Sequence, residues 1–170
     1  MSVEKQRKIG IIKKMIAIIQ KLLVLYRKQM PVLIVLHHSA TDRDKTRAEA
    51  IEKNHKERGY PKSRLGKHTA YNVVIEGSGK TTYARDYRDY NETGWAVSGI
   101  SFHIDICLTG NFEQEKPSRE QIGALEKELA LIQNIYKNIK IKGHKDFRST
   151  LCPGRNLYKF IHNIHNDVLF

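Results

Sequence analysis

The segment that most narrows the folds open to this chain is VLIVLHH, residues 32–38. Five aliphatic residues in a row, three of them β-branched, are bounded by Pro31 on one side and polar residues on the other. That composition predicts a buried strand. The run ends in His37 and His38, followed by the turn-like SATDRD. Strand ends in α/β sheets are where site residues tend to project.

The rest of the chain supplies partners for that strand. Thr46 opens T-R-A-E, a capping-box pattern with Glu49, and predicts a helix that stops at Gly59. YNVVIEGSGKTTYARD reads as strand, Gly-Ser-Gly turn and strand, a hairpin. HIDICLTG, residues 103–110, is a further strand, and NETGWAVSGIS before it is loop-like. Ser118 and Gln121 cap a helix running to about Asn138, with Ile122, Leu125, Leu129 and Ile132 at helical spacing. IKIKGHKDF holds a short strand and opens a loop, and Cys152-Pro153-Gly154 precedes a last helix near 155–167. Strands and helices mix without regular βαβ alternation. The expected fold class is α/β: a single domain with a central mixed sheet flanked by helices and an N-terminal amphipathic helix.

The chain has 170 residues, 40% hydrophobic and 28% charged, which suits one folded domain. Its formal net charge of +12 invites a polyanionic partner, but the charge is unevenly placed. Residues 1–30 carry 8 Lys/Arg against Glu4, and residues 137–170 carry 7 against Asp146 and Asp167. Residues 31–136 hold 15 of each sign and are neutral. Basic ends on a neutral body argue against a central nucleic-acid patch, and no aromatic-interleaved basic motif is present. No specific nucleic-acid partner is expected.

Residues 9–28 read as a helix. Ile11, Ile12, Met15, Ile16, Ile18, Ile19, Leu22, Leu23, Leu25 and Tyr26 fill one half of the wheel, and Lys13, Lys14, Gln20, Lys21, Arg27 and Lys28 lie on the other. Each Lys at a bilayer centre costs roughly 2.5–3.5 kcal/mol while each Leu or Ile returns about 0.5, so a spanning helix is disfavoured. Two readings remain. The face packs on the domain, the rule for amphipathic faces, or it lies on an anionic membrane or cell-wall polymer. The domain division is residues 1–30 as a basic amphipathic helix and 31–170 as the folded body.

Two cysteines, Cys107 and Cys152, exclude a disulfide-dense scaffold but leave one disulfide open on count alone. His37 at a strand end, with His144 and Cys152 in an H-x7-C arrangement, offers two imidazoles and a thiolate. Borderline-soft zinc prefers such donors, and three protein ligands leave a fourth position for water. In a chain with eight histidines that spacing alone is weak. His38 alternates to the other strand face and reads as structural. His55 reads as packing, and His68 as a loop residue near the cleft. His103, His162 and His165 have no identifiable neighbours at a site.

Taken in order, LHHSAT, IEKNHKERGY, AYNVVIEGSGK, ICLTGNF and GHKDFRSTLCPG resemble the zinc-dependent N-acetylmuramoyl-L-alanine amidases. These form the type-2 amidase superfamily, which includes short phage lysozyme-like endolysins and the peptidoglycan recognition proteins. The resemblance covers about residues 32–160. It implies Zn²⁺ held by His37, His144 and Cys152, which excludes a disulfide through Cys152. It implies catalytic roles for Tyr71, which orients water or the tetrahedral intermediate, and for Thr150, which donates to the oxyanion. It further implies hydrolysis of the amide joining N-acetylmuramic acid to L-alanine, with bacterial peptidoglycan as the partner. The alternative is a module that binds muropeptide without cutting it; members of that kind typically lose the cysteine, which is present here.

Three positions bear on this pattern. Where some members carry a Glu base, this chain has Cys107, similar to the short phage enzymes, so no carboxylate takes the base role there. Asp105 stands where the family usually has Gly, which implies altered local packing or an altered substrate edge. Trp95 stands near a common family histidine and is placed to stack on a sugar. With no secretory signal, the expectation is a chain made in the cytoplasm that acts on the wall after release or export.

Overall fold

The computed structural model describes residues 3–29, 31–89, 92–100 and 102–167. After an N-terminal helix α1 (Val3–Gln29), the strand β1 (Pro31–His38) forms as its composition dictates. There follow α2 (Ala48–Glu57), β2 (Val73–Ile75), β3 (Thr81–Tyr83), β4 (His103–Leu108), α3 (Arg119–Ile135), β5 (Asn138–Gly143) and α4 (Arg155–Asp167). A 3-10 turn, His144–Asp146, follows β5 directly. The sheet order is β3-β2-β4-β1-β5. The β2–β3 hairpin is antiparallel and the other three pairings are parallel, so the sheet is mixed.

With β4 and β5 pairing its two edges and helices covering its two faces, β1 is interior, and two-residue alternation sorts its side chains between two layers. Val32, Ile34 and Leu36 join Ile104, Ile106, Leu108, Val73, Ile75 and Ile141 in the main core. Leu125, Leu129 and Ile132 of α3 and Leu157 and Ile161 of α4 close that layer. A smaller cluster of Ala48, Ile51, Val74 and Tyr71 seats α2 against the opposite face. In parallel register His37 pairs with Cys107 and Val35 with Asp105. His37, Asp105 and Cys107 therefore share the face that α2 covers.

Helix starts follow two rules. Ser118 accepts from the Gln121 N–H at 3.0 Å and Gln121 Oε1 accepts from the Ser118 N–H at 3.1 Å, the capping box its sequence predicts. The helix ends at Ile135, short of the expected Asn138, because Asn138 already pairs with Pro31 in β5. The capping box expected at Thr46 does not form. Arg47 is the N-cap and makes no side-chain cap bond, while the Thr46 hydroxyl donates to Thr41. Glu76, at the end of the β2 segment and 2% exposed, caps from afar: its Oε1 accepts the Ala48 N–H at 3.1 Å. A carboxylate at a helix N-terminus also meets the positive end of the helix dipole.

The apolar face of α1 is not packed on the domain. From Ile16 at 49% to Tyr26 at 63%, Ile11, Ile12, Met15, Ile18, Ile19, Leu22 and Leu25 are all about half exposed. This overturns the packing expectation for those side chains. No helix among the described residues is long and apolar enough to cross a membrane.

If Glu76 is the α2 cap, Glu76→Ala lowers unfolding stability by about 1–2 kcal/mol. Thr46→Ala, which removes no cap, changes it by less than about 0.5 kcal/mol. Urea denaturation of the two variants checks the pair; equal losses would return the cap to Thr46.

Candidate metal centre

Three loops and strand ends deliver the side chains. His37 lies in the penultimate position of β1 and is 1% exposed. His144 is the first residue after β5, the strand on the other side of β1, so parallel pairing brings the two histidines to one end of the sheet. Their ring centroids are 4.7 Å apart. The loop then returns: the Lys145 N–H donates to the Cys152 carbonyl at 2.8 Å, which folds Cys152 back over the strand ends. The backbone N–H of His38 points at Cys152 Sγ, 3.3 Å away.

The metal-binding atoms of His37, His144 and Cys152 all lie within 4.8 Å of one another. All three residues nominated from the sequence are thus brought together. The donor set can be tested for fit. Tetrahedral zinc with Zn–S of about 2.3 Å and Zn–N of about 2.0–2.1 Å places sulfur and nitrogen about 3.6 Å apart. Cys152 Sγ and His37 Nδ1 are 3.7 Å apart. The His38 N–H would stabilise a thiolate at that sulfur. The residues present fit zinc, and both cysteines are free thiols.

Burial sets the protonation of the metal-free cluster. It pushes the His144 pKa down to about 4, helped by the neighbouring His37, so that imidazole is neutral and its lone pair available at pH 7. It pushes the Cys152 thiol up to about 12 against the opposing His38 N–H bond. The His38 pKa is also lowered, again chiefly by burial. His38 lies on the core face as expected, its Nδ1 accepting the Phe112 N–H at 3.2 Å.

Tyr71 lies beside the cluster, its ring centroid 5.1 Å from that of His37. On its other side is His55, 5.3 Å away, whose Nδ1 accepts the Ala70 N–H at 3.0 Å. His55 is therefore a packing residue that fixes the chain just before Tyr71. Burial, with the nearby Cys107 and Cys152 sulfurs, raises the Tyr71 pKa well above its ordinary value. The phenol stays protonated. Cys107 is fully buried, and burial raises its pKa too.

Thr150 is exposed, and its Oγ1 accepts the Cys152 N–H at 3.2 Å, which leaves the hydroxyl proton able to donate outward. Ser39, Thr41, Asn54, His55, Arg58 and Tyr71 are among the residues lining a cleft of about 460 Å³ next to this centre. Trp95 is 52% exposed, and its backbone N–H donates to the Ala70 carbonyl at 2.7 Å, so it stands close to Tyr71. His68 is tied to the Tyr60 carbonyl at 2.8 Å, and exposed His162 meets Tyr158 edge-on. The side chain of His165 is outside those described.

Two buried groups escape a reading of the sequence. Asp105, taken there as a change of packing or substrate edge, is fully buried with Oδ1 2.9 Å from His37 Nε2. His103, which the sequence leaves without a site neighbour, is 1% exposed with Nε2 3.3 Å from Asp105 Oδ2. The available signal is H-x-D-x-C in β4: polar residues at period two within an apolar strand mark a polar face.

The family model for N-acetylmuramoyl-L-alanine amidase matches residues 27–155. The chain belongs to this amidase family. Among solved structures, N-acetylmuramoyl-L-alanine amidase LysC from Clostridium intestinale URNW superposes with a TM-score of 0.67 at 27% identity. That similarity covers 82% of this chain and 88% of LysC. Peptidoglycan-recognition protein 1 of Holotrichia diomphalia is 26% identical over 140 residues, 76% of this chain and 67% of that protein. Peptidoglycan recognition protein 1 of Mus musculus is 31% identical over 116 residues, 60% of this chain and 58% of that protein. The chain thus shares its fold with an amidase and is similar in sequence to recognition proteins.

The protonation pattern sets the pH response of metal loading. Between pH 6 and 8 the Cys152 thiol must lose its proton to bind a cation, whereas His144 is already neutral. Zinc uptake by the metal-free chain therefore releases a proton from Cys152, and apparent affinity rises by at least about tenfold per pH unit over that range. Chelator competition at pH 6, 7 and 8 measures it; an affinity that does not rise with pH would contradict these protonation states.

Proposed function

We propose that this chain is a zinc-dependent amidase that cleaves the bond between N-acetylmuramic acid and L-alanine in peptidoglycan, and so lyses the wall. The observation that carries this reading is the convergence of His37, His144 and Cys152 donor atoms within 4.8 Å, beside Tyr71, which also lines the neighbouring cleft. Family membership and the likeness to LysC support the reaction class.

His37, His144 and Cys152 would hold the ion, and three protein donors are the number a catalytic zinc site uses. Zinc, when bound there, acts as a Lewis acid and lowers the pKa of water toward 7. The chain's own groups supply the rest. Tyr71, held protonated by burial, is a neutral donor beside the cluster; its hydroxyl orients the attacking water or binds the developing oxyanion. Thr150 donates outward from the loop that carries Cys152. Its neutral hydroxyl stabilises negative charge less than an ammonium would. Cys107 cannot act as base near neutral pH, because burial keeps its thiol protonated. Trp95 offers its exposed face to a sugar ring at the rim.

The exposed apolar face of α1 and the lysines opposite it form a helix suited to an anionic envelope surface. On this reading residues 31–170 are the catalytic unit and residues 1–30 hold it at the surface where it works.

Two experiments test these assignments. With zinc and a soluble muropeptide, Cys152→Ser abolishes L-alanine amide release and Tyr71→Phe slows turnover by about 10²-fold or more. Unchanged turnover in Tyr71→Phe would remove that residue from the chemistry, and binding without any release by the zinc-loaded wild type would favour a recognition module. Deleting residues 1–29 spares soluble muropeptide hydrolysis and weakens lysis of intact cells. A truncated chain that no longer folds would contradict the surface role of α1.

A further inference from the structure

A carboxylate in a fully apolar setting is costly unless every oxygen is paired. Asp105 is 0% exposed, and its surroundings are built to pair it. Oδ1 accepts from His37 Nε2 at 2.9 Å. Oδ2 accepts the Ala96 N–H at 3.0 Å and faces His103 Nε2 at 3.3 Å. The backbone of Asp105 is locked to Asn72 in both directions: its N–H donates to Asn72 Oδ1, and its carbonyl accepts the Asn72 N–H, both at 2.9 Å. Gly94 packs so closely that a β-carbon there would overlap the Asp105 carboxylate. Burial opposes the charge, but His37 and His103 outweigh it and hold this carboxyl below the usual carboxylate range.

We propose that Asp105 is a positioning residue for the metal centre. It fixes His37 in the tautomer with the proton on Nε2, so that the Nδ1 lone pair faces His144 and Cys152. The inference rests on the metal-centre reading above for its consequence, though not for its geometry. A neutral imidazole has one ring proton, and an anionic oxygen 2.9 Å from Nε2 claims it. Nδ1 is then left as the acceptor, 3.7 Å from Cys152 Sγ. The same bond stops the ring from rotating. Register makes the contact possible: Asp105 pairs with Val35 of β1, two residues before His37 on the same face.

Asp105→Asn tests this. The Ala96 N–H and His103 both compete for the amide oxygen, which leaves the NH2 group facing His37 Nε2. Two donors cannot share that bond, so the His37 proton moves to Nδ1, into the metal centre. In the full chain freed of zinc, ¹⁵N-detected imidazole spectra should show the Nε2–H tautomer of His37 in the wild type and its loss in Asp105→Asn. Zinc affinity, measured by chelator competition, should fall about 10–100-fold in the variant.

A wild-type His37 that is protonated on Nδ1, or an even mixture of tautomers, overturns the proposal even if the variant fails to fold. So does a folded variant with wild-type tautomer and wild-type zinc affinity. Wild-type protein that keeps the Nε2–H tautomer but binds no zinc would sink the metal reading and leave the tautomer assignment standing.

Discussion

Everything at the candidate site depends on β1 being an interior strand between two parallel neighbours. Helices cover both faces of the sheet there, and pleating then assigns alternate residues to different layers. Val32, Ile34 and Leu36 go to the core against α3 and α4, and His38 follows them to bond Phe112. His37 goes the other way, beside β4 on one flank and the start of the His144 turn on the other. A one-residue slip of β1 would exchange the two histidines and bury the metal donor in hydrocarbon. The polar face is therefore bought by the apolar one, and the large core behind the sheet is what keeps His37 in place.

Much of this was legible in the sequence, for physical reasons. β1, β4, the hairpin and α3 carry strong local signals: aliphatic runs, a Gly-Ser-Gly turn and a capping box that forms as written. The trio His37, His144 and Cys152 was legible through the ordered motifs that surround it, and the fold brings its donors together. What escaped were contacts between distant segments. Glu76 caps α2 from 28 positions away in the chain, and no local pattern announces it. Asp105 reaches His37 across 68 positions, and its role is visible only once β1 and β4 are registered. Thr46 shows the converse failure, since a correct local motif lost its partner to Thr41.

The charge of +12 takes on a narrower meaning in this fold. The site itself is built from two imidazoles, a buried thiol, a phenol and one buried carboxylate, with no Lys or Arg among them. The N-terminal excess lies on α1, whose apolar residues are also exposed. An apolar stripe beside lysines fits an anionic interface, where both faces find a partner at once. On the proposed function, chemistry and attachment would be separated along the chain, with β1 following α1 almost directly.

The central claim is that one zinc ion is held by two imidazoles and one thiolate at the end of the sheet. Zinc K-edge X-ray absorption on the stoichiometrically loaded chain tests it most directly. The account predicts one sulfur at about 2.3 Å and two imidazole nitrogens at about 2.0–2.1 Å, with a light-atom fourth ligand. A shell without sulfur, or a chain that takes up no stoichiometric zinc, would contradict it.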